Sequence, residues 1–322
     1  MTDLVLEARG LTKIYGGGRS WRGAPLPRAY AVRDVAIGLE RGRTLGIVGE
    51  SGCGKSTLAR MLASLVAPTA GTIHLNGATA APRGRLSQTK KRPVQYVFQD
   101  PIGALNPRKT IRAILATPLV RLARLDRDRT RERLGELMDA VQLRPDALDR
   151  YPHEFSGGQA QRIGIARALA ANPDIIIFDE PLSALDVSVQ AQVLNLLAEV
   201  KQRFHLSCIF ISHNLAVTEI ISDHVAVMYF GRIVEQGPAR QLFAHPRHPY
   251  TRLLLDSAPV IGRKSKRAGV ETAELPNPYD PPDGCAFAAR CPNAKERCRI
   301  GPAPALQEMA VQHDAACFYP LP

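Results

Sequence analysis

Nine residues constrain this 322-residue chain more than any others: "GESGCGKST", Gly49 to Thr57. They lie between a short apolar stretch, "TLGIVG", and the helically spaced "STLARMLASLV". Glycine reaches backbone torsions closed to other residues, so the chain can curl until successive N–H groups point at one spot. The helix that follows adds the partial positive charge of its N-terminus. Such a loop cradles an anion. The order Gly49, four residues, Gly54, Lys55, Ser56 fits G-x-x-x-x-G-K-[ST] in the strand–loop–helix setting that gives the pattern meaning. A plain glycine turn would leave Lys55 without a purpose.

The remaining chain offers the sheet that such a loop needs. "LVLEARGLTKIY" alternates as a strand does, and "AVRDVAIGLERGRTLGIVG" predicts two strands around a turn at residues 40–42. Residues 72–98 predict strands ending in "VQYVFQ", and residues 110–150 predict charged helices. "GQAQRIGIARALAAN" predicts a helix that stops before Pro173, and "DIIIFDEP" a buried strand. "VSVQAQVLNLLAEVKQRF" predicts a helix with an apolar stripe at 193, 196, 197, 200 and 204, and "LSCIFISH" another buried strand. Alternating buried strands and helices imply an α/β fold with a mostly parallel sheet. "GGGRSWRGAPLPRAY" has the composition of an exposed loop, and "GRKSKRAGVETAELPNPYDPPDG" that of a linker.

Two further stretches carry chemistry. In "IIIFDEP" an apolar strand ends in Asp179 and Glu180, at the edge where open α/β sheets bind ligands. With a nucleotide in the glycine loop, Lys55 would reach the β- and γ-phosphates, Ser56 would ligate Mg2+ and Thr57 would add a phosphate contact. Asp179 would hold the Mg2+ through water, and Glu180 would polarise an attacking water. Adjacent carboxylates at a strand end are often only turn formers; after such a loop they gain a use. "FSGGQAQRIGIARAL" sets Ser156, Gly157 and Gly158 before a helix, a second anion-ready N-terminus. Ser156 would be its N-cap in either case. Two such cradles are unusual for a solitary kinase or GTPase.

Taken in order, the set resembles the ATP-hydrolysing subunit of ATP-binding-cassette (ABC) transporters over roughly residues 4–250. Walker A is "GESGCGKST", the signature "FSGGQ", Walker B "IIIFDE", the D-loop "SALD", and the switch histidine lies in "ISHN". The resemblance implies a P-loop NTPase core, with a RecA-like, mostly parallel sheet and an antiparallel β subdomain. That core would occupy 1–250, with a helical signature subdomain at about 100–165. A small Cys-rich extension would occupy 251–322, made of a linker at 262–283 and a four-Cys segment at 284–322.

The resemblance also implies ATP and Mg2+. Tyr15 would stack on adenine, and Gly49, Ser51, Gly52, Cys53, Gly54, Lys55, Ser56 and Thr57 would enclose the phosphates. Gln99, in "VFQDP", would contact Mg2+ and water and sense the membrane partner. Asp186 would be the D-loop acid, and His213 would hold the γ-phosphate beside Glu180 and Gln99 in the catalytic set. Ser56, Gln99 and Asp179 would form the Mg2+ set. Family members pack two modules head-to-tail, so Ser156, Gly157, Gly158 and Gln159 would serve the nucleotide of the second module. One departure is visible: Ala160 follows the signature glutamine, where many relatives carry a polar residue.

"YPHEFSGGQ", "FQDPIGALNPR", "HPRHPYTRLLL" and the "CAFAARCPNAKERC" tail are similar to the dipeptide/oligopeptide importer branch, which also serves nickel and similar cargo. The "QDP…LNPR" form resembles the second of the two unlike ATPases in these systems. The implied partners are two transmembrane permeases, a second homologous ATPase forming a heterodimer and, indirectly, an extracytoplasmic peptide-binding protein. The implied location is peripheral, on the cytoplasmic face of the bacterial inner membrane. No signal peptide is read at the N-terminus, and no uncharged apolar run approaches the ~18 residues of a membrane span. The net charge of +12 permits a different class, a basic nucleic-acid-associated ABC ATPase. The basic residues are dispersed and match no nucleic-acid module, so no nucleic-acid partner is expected.

Cys285, Cys291, Cys298 and Cys317 are separated by five, six and eighteen residues. Four thiolates can close a zinc site or hold an iron–sulfur cluster. Neither tight pair of a zinc knuckle is present, which suits a bulkier group; zinc, plain thiols or disulfides stay open. The branch resemblance implies a [4Fe–4S] cluster. Its expected role is structural, because a small Pro-rich segment has too little core to fold alone. His313 is an alternative ligand, though a surface position is expected for it. Cys53 reads as a small residue that fits the glycine loop.

Overall fold

The structure is a computed structural model that describes residues 3–19, 24–80, 93–257 and 276–322. Parts of the expected strand region 72–98, of the arginine-rich loop at 16–30 and of the linker at 262–283 lie outside the described residues. In chain order the elements are β1 (Leu4–Gly16), β2 (Arg28–Glu40), β3 (Thr44–Val48), α1 (Lys55–Leu62), β4 (Ala70–Leu75), β5 (Ala78–Thr79) and β6 (Val94–Val97). Then come α2 (Ile111–Arg121), α3 (Arg127–Ala140), α4 (Gly157–Leu169), β7 (Ile175–Asp179), α5 (Val187–Arg203) and β8 (Ser207–Ser212). The chain continues with α6 (Leu215–Ile221), β9 (His224–Tyr229), β10 (Arg232–Pro238), α7 (Ala239–Ala244), α8 (Pro249–Ser257), β11 (Gln307–Ala310) and β12 (His313–Ala315). Among the described residues no helix is long and apolar enough to cross a membrane.

The chain divides into two compact units. The first comprises Met1–Val5, Leu39–Thr44 and Ala81–Ile211. Its strands β6, β7 and β8 run parallel, Val94 opposite Ile175 and Ile175 opposite Ser207. All of Ile175 to Asp179 is buried, as a parallel strand covered on both faces requires. α4 packs on β6 and presents Ile163, Ile165 and Ala166 inward. α2 and α3 pack against α4 and each other, and each opens on a side-chain cap: Thr110 accepts from the Ala113 N–H, Asp126 from the Arg129 N–H. The apolar stripe of α5 buries Val193, Leu196, Leu197 and Val200, as its spacing predicts.

The second unit comprises Leu6–Gly38, Leu45–Ala80 and Ser212–Pro322. One antiparallel sheet follows the order β2-β1-β4-β5, with Leu6 opposite Leu75. In a second ladder β3 lies parallel to β9, with Leu45 opposite His224. From β9 outward the pairing turns antiparallel, through β10 to β12 and β11. Phe230 and Gly231, at φ 44° and 79°, join β9 to β10 in a two-residue turn with both torsions positive, the hairpin connection that matches strand twist.

The C-terminal strands were not foreseen, and they change the account of the tail. β12 extends the ladder at β10, Glu235 opposite Ala315. Phe287, from the cysteine-bearing segment, is buried in one cluster with Val48, Val225, Val227, Tyr229, Leu242 and Tyr250. The tail therefore shares the core of its unit rather than building one from its own few apolar residues. The surface position expected for His313 is overturned: it is fully buried, with Nε2 2.7 Å from Oε1 of an equally buried Glu235. The Glu235 carboxylate also accepts from the Arg247 and His248 N–H groups at 2.6 and 3.0 Å. A polar group removed from water needs such hydrogen-bond partners.

Candidate nucleotide site

In the second unit the fully buried β3 delivers the chain into the glycine loop. Gly49 lies at φ 152°, where an added Cβ would stand 2.2 Å from the Met228 carbonyl oxygen. Gly54 lies at φ 107°, where an added Cβ would stand 2.2 Å from the Ala31 oxygen. Both positions demand glycine through torsion and through close backbone approach. The Gly231 N–H pins the loop further by donating to the Cys53 oxygen at 2.8 Å.

α1 then starts with Gly54 as its N-cap, with no side-chain cap and no acidic residue in its first turn. The first turn of the helix thus supplies no anion of its own, which fits a phosphate ligand. Lys55 is buried, and its Nζ bridges the Gly49 and Glu50 carbonyl oxygens at 2.8 Å each. The loop's lysine is therefore folded back across the loop. Ser51 and Gly52 are exposed, while Ser56 and Thr57 are half-buried. Burial pushes the Cys53 thiol above its usual range, which disfavours the reactive thiolate and suits a space-filling residue.

Two other expected residues belong to this unit. Tyr15, near the end of β1, is 42% exposed, so its ring is available for stacking; Lys13 Nζ lies 5.0 Å from its centroid. His213 is exposed just beyond β8, between Ser212, whose Oγ accepts from the Asn214 N–H at 2.9 Å, and Asn214, which caps α6.

The first unit carries the carboxylates. Asp179, the last residue of β7, is buried and accepts from the Tyr96 hydroxyl at 2.6 Å. Glu180 sits at φ 47°, a left-handed torsion that costs a non-glycine residue about 1–3 kcal/mol. Gln99 Nε2 lies 3.4 Å from Glu180 Oε2 and 3.5 Å from Ser183 Oγ, bringing two members of the expected catalytic set together. In the signature, Ser156 caps α4 reciprocally with Gln159: Ser156 Oγ accepts from the Gln159 N–H, and Gln159 Oε1 from the Ser156 N–H. A Cβ at Gly158 would meet Val189 Cγ1 at 2.6 Å, so that side chain would have to shift. Asp186 is exposed at the N-cap of α5 and makes no capping bond.

Reading the sequence missed Tyr96, Ser183, Glu50, Tyr250 and Arg290. Glu50 and Tyr250 stood inside motifs already singled out, "GESGCGKST" and "HPYT". The Tyr250 hydroxyl accepts from the Glu50 N–H at 2.9 Å. No signal in the chain ties Arg290 to a loop 240 residues away.

Cys285, Cys291, Cys298 and Cys317 line one cavity with His248, Phe287 and Tyr319. All six cysteines are free thiols. Burial raises the thiols of Cys285, Cys291 and Cys317, the last to about 11, which favours the neutral form. Among the described residues no group of three or more His, Cys, Asp or Glu side chains is arranged to hold a metal ion. The four cysteines are gathered, but not into a ligand set.

Comparison with known proteins identifies the family. A family model described as "ABC transporter" matches residues 32–183, and one described as "Oligopeptide/dipeptide transporter, C-terminal region" matches residues 234–298. The di/tripeptide transport ATP-binding protein DppF of Pseudomonas aeruginosa is 48% identical over 92% of each chain. The oligopeptide transport ATP-binding protein AppF of Bacillus subtilis is 47% identical over 98% of this chain and 97% of its own. Among solved structures, cbiO1 from Clostridium perfringens, part of the ABC transporter complex cbiONQ, superposes with a TM-score of 0.64 at 25% identity, covering 75% of this chain and 91% of its own. The ATP-binding cassette MJ0796, in a dimeric post-hydrolysis state bound to ADP and Pi, gives 0.64 at 27% identity over 73% and 99%. With a strand-delivered phosphate loop, a carboxylate pair ending a buried strand and relatives matched almost end to end, the chain belongs to the ABC transporter family, among its ATP-hydrolysing subunits.

Proposed function

We propose that this ATPase drives the uptake of di- and oligopeptides, working on the cytoplasmic face of the inner membrane against two permeases, with an external peptide-binding protein choosing the cargo. The observation that carries this reading is the near end-to-end match to the DppF and AppF transport proteins. The match at residues 234–298 to the oligopeptide/dipeptide C-terminal region supports it.

In this reading Tyr15 stacks on adenine, and the Gly49–Thr57 loop with Lys55 encloses the triphosphate. Ser56, Gln99 and Asp179 would hold Mg2+, which would supply positive charge to the phosphates. Glu180 takes a proton from the attacking water, Gln99 orients that water, and His213 holds the γ-phosphate as the bond to the leaving oxygen breaks. The alignment of Gln99 with Glu180 supports a shared role for the two. Ser156, Gly157, Gly158 and Gln159 serve the nucleotide of a second, homologous ATPase, and Asp186 faces that partner. ATP then closes the pair, and hydrolysis releases it.

The four-cysteine cavity takes a [4Fe–4S] cluster in this reading, with Zn2+ as the alternative. Its support is one cavity lined by all four residues; its cost is that they must first be drawn into ligating positions. Anaerobically purified protein should be brown, with about four irons and four sulfides per chain. Colourless protein with one zinc would favour the alternative.

Transport itself tests the main reading. A strain lacking this gene should fail to take up labelled dipeptide, and the wild-type gene should restore uptake while Glu180→Gln should not. Dipeptide uptake that survives the deletion at its original rate would assign the chain to other cargo.

A further inference from the structure

The Arg290 guanidinium reaches Glu50, the second residue of the phosphate loop, through two bonds of 2.7 and 2.8 Å to its carboxylate oxygens. Both side chains are mostly withdrawn from water, at 13% and 29% exposure. Two parallel charge-assisted bonds fix direction as well as distance. The backbone of Glu50 is held as well: its N–H donates to the Tyr250 hydroxyl, and its carbonyl oxygen accepts from Lys55 Nζ. One residue thus links the loop's lysine to two anchors outside the loop.

Those anchors rest on a common base. Tyr229, Tyr250 and Phe287 are buried with ring centroids 4.5 to 5.3 Å apart, and the Arg290 guanidinium lies 5.9 Å from the centroids of Tyr229 and Phe287. Phe287 and Arg290 close one short turn, the Arg290 N–H donating to the Phe287 oxygen at 3.0 Å. That turn lies between Cys285 and Cys291, two of the cysteines that line the neighbouring cavity.

We infer that Arg290 is a positioning residue of the phosphate loop, acting through Glu50, so that the grip on ATP depends on the order of the cysteine-bearing segment. The inference rests on the reading of Gly49–Thr57 as the ATP site. Nothing in the loop's own motif requires the arrangement, because Glu50 occupies a variable position of G-x-x-x-x-G-K-[ST]. A loop clamped at residue 50 is pre-organised for its ligand; a released one must be ordered by ATP at the expense of affinity.

The test is MgATP affinity and steady-state hydrolysis of the full chain, with Arg290→Ala, Arg290→Lys, Glu50→Gln and the double variant Glu50→Gln/Arg290→Ala. Arg290→Ala should raise both the Kd and the KM for MgATP on the order of tenfold, with kcat changed by less than about threefold. Glu50→Gln should do the same, the double variant should be no worse than either single one, and Arg290→Lys should recover part of the affinity. A lower melting temperature with an unchanged Kd would overturn the inference, as would additive effects in the double variant. If Arg290→Ala does not fold, Glu50→Gln and Arg290→Lys decide alone. Lys55→Ala separates the two readings. Wild-type protein that binds no MgATP, or Lys55→Ala protein that binds it as tightly as wild type, refutes the ATP site itself. Loss of binding in Lys55→Ala with no effect at Arg290 refutes only the positioning role.

Discussion

At Gly54 the backbone holds φ 107°, and a methyl group there would press to 2.2 Å from the Ala31 oxygen. Gly54→Ala should therefore destabilise the protein by about 2 kcal/mol or more and lose MgATP binding, read by thermal unfolding and calorimetry. Wild-type stability and affinity in that variant would mean that the loop is not pinned as described. At Asp179, Tyr96→Phe removes the 2.6 Å hydroxyl donor and leaves a buried carboxylate with one partner fewer. A loss of about 1–3 kcal/mol is expected, measured as a shift of the denaturant midpoint at constant slope. The loop glycines and Lys55 were legible in the sequence because their pattern is local. Tyr96 was not, because a strand residue reveals nothing about which neighbouring strand it will lie beside.

β12 and β10 show how far an element can escape a reading from sequence alone. The buried runs "DIIIFDEP" and "LSCIFISH" and the stripe of α5 announce themselves through hydrophobic content and period. "QEMA" and "HDA" have neither, and they become strands only because β10 presents an edge for β12 to complete. His313 and Glu235 carry that docking, both out of water and 2.7 Å apart. His313→Ala removes the one side-chain partner of the buried Glu235 carboxyl, which keeps the Arg247 and His248 N–H groups, and should cost about 1–3 kcal/mol in urea unfolding. An unchanged midpoint would show that the His313–Glu235 contact contributes nothing to the stability of the second unit. The Arg290–Glu50 pair was hidden for a related reason: its specificity lies in the fold between the two residues, and a lone arginine beside a cysteine carries no pattern.

For the molecule as a whole, the two glycine-rich helix starts have different characters. The one at Gly54 has no side-chain cap, whereas the one at Ser156 is capped by its own residues and keeps Ser156, Gly157 and Gln159 exposed. In the proposed assembly the exposed one serves a second ATPase. In the reconstituted transporter, Ser156→Arg should leave MgATP binding by this chain intact while cutting turnover at the site its signature faces by at least about tenfold. Full turnover would argue that the signature meets no nucleotide. In the proposed mechanism a triphosphate held by the Gly49–Thr57 loop is cut by water that Glu180 activates. The nucleotide recovered from Glu180→Gln protein after incubation with MgATP tests this most directly. Glu180→Gln protein should retain uncut ATP at about one per chain, with hydrolysis at least about 100-fold below wild type. Recovery of ADP at the wild-type rate, or of no nucleotide at all, would contradict it.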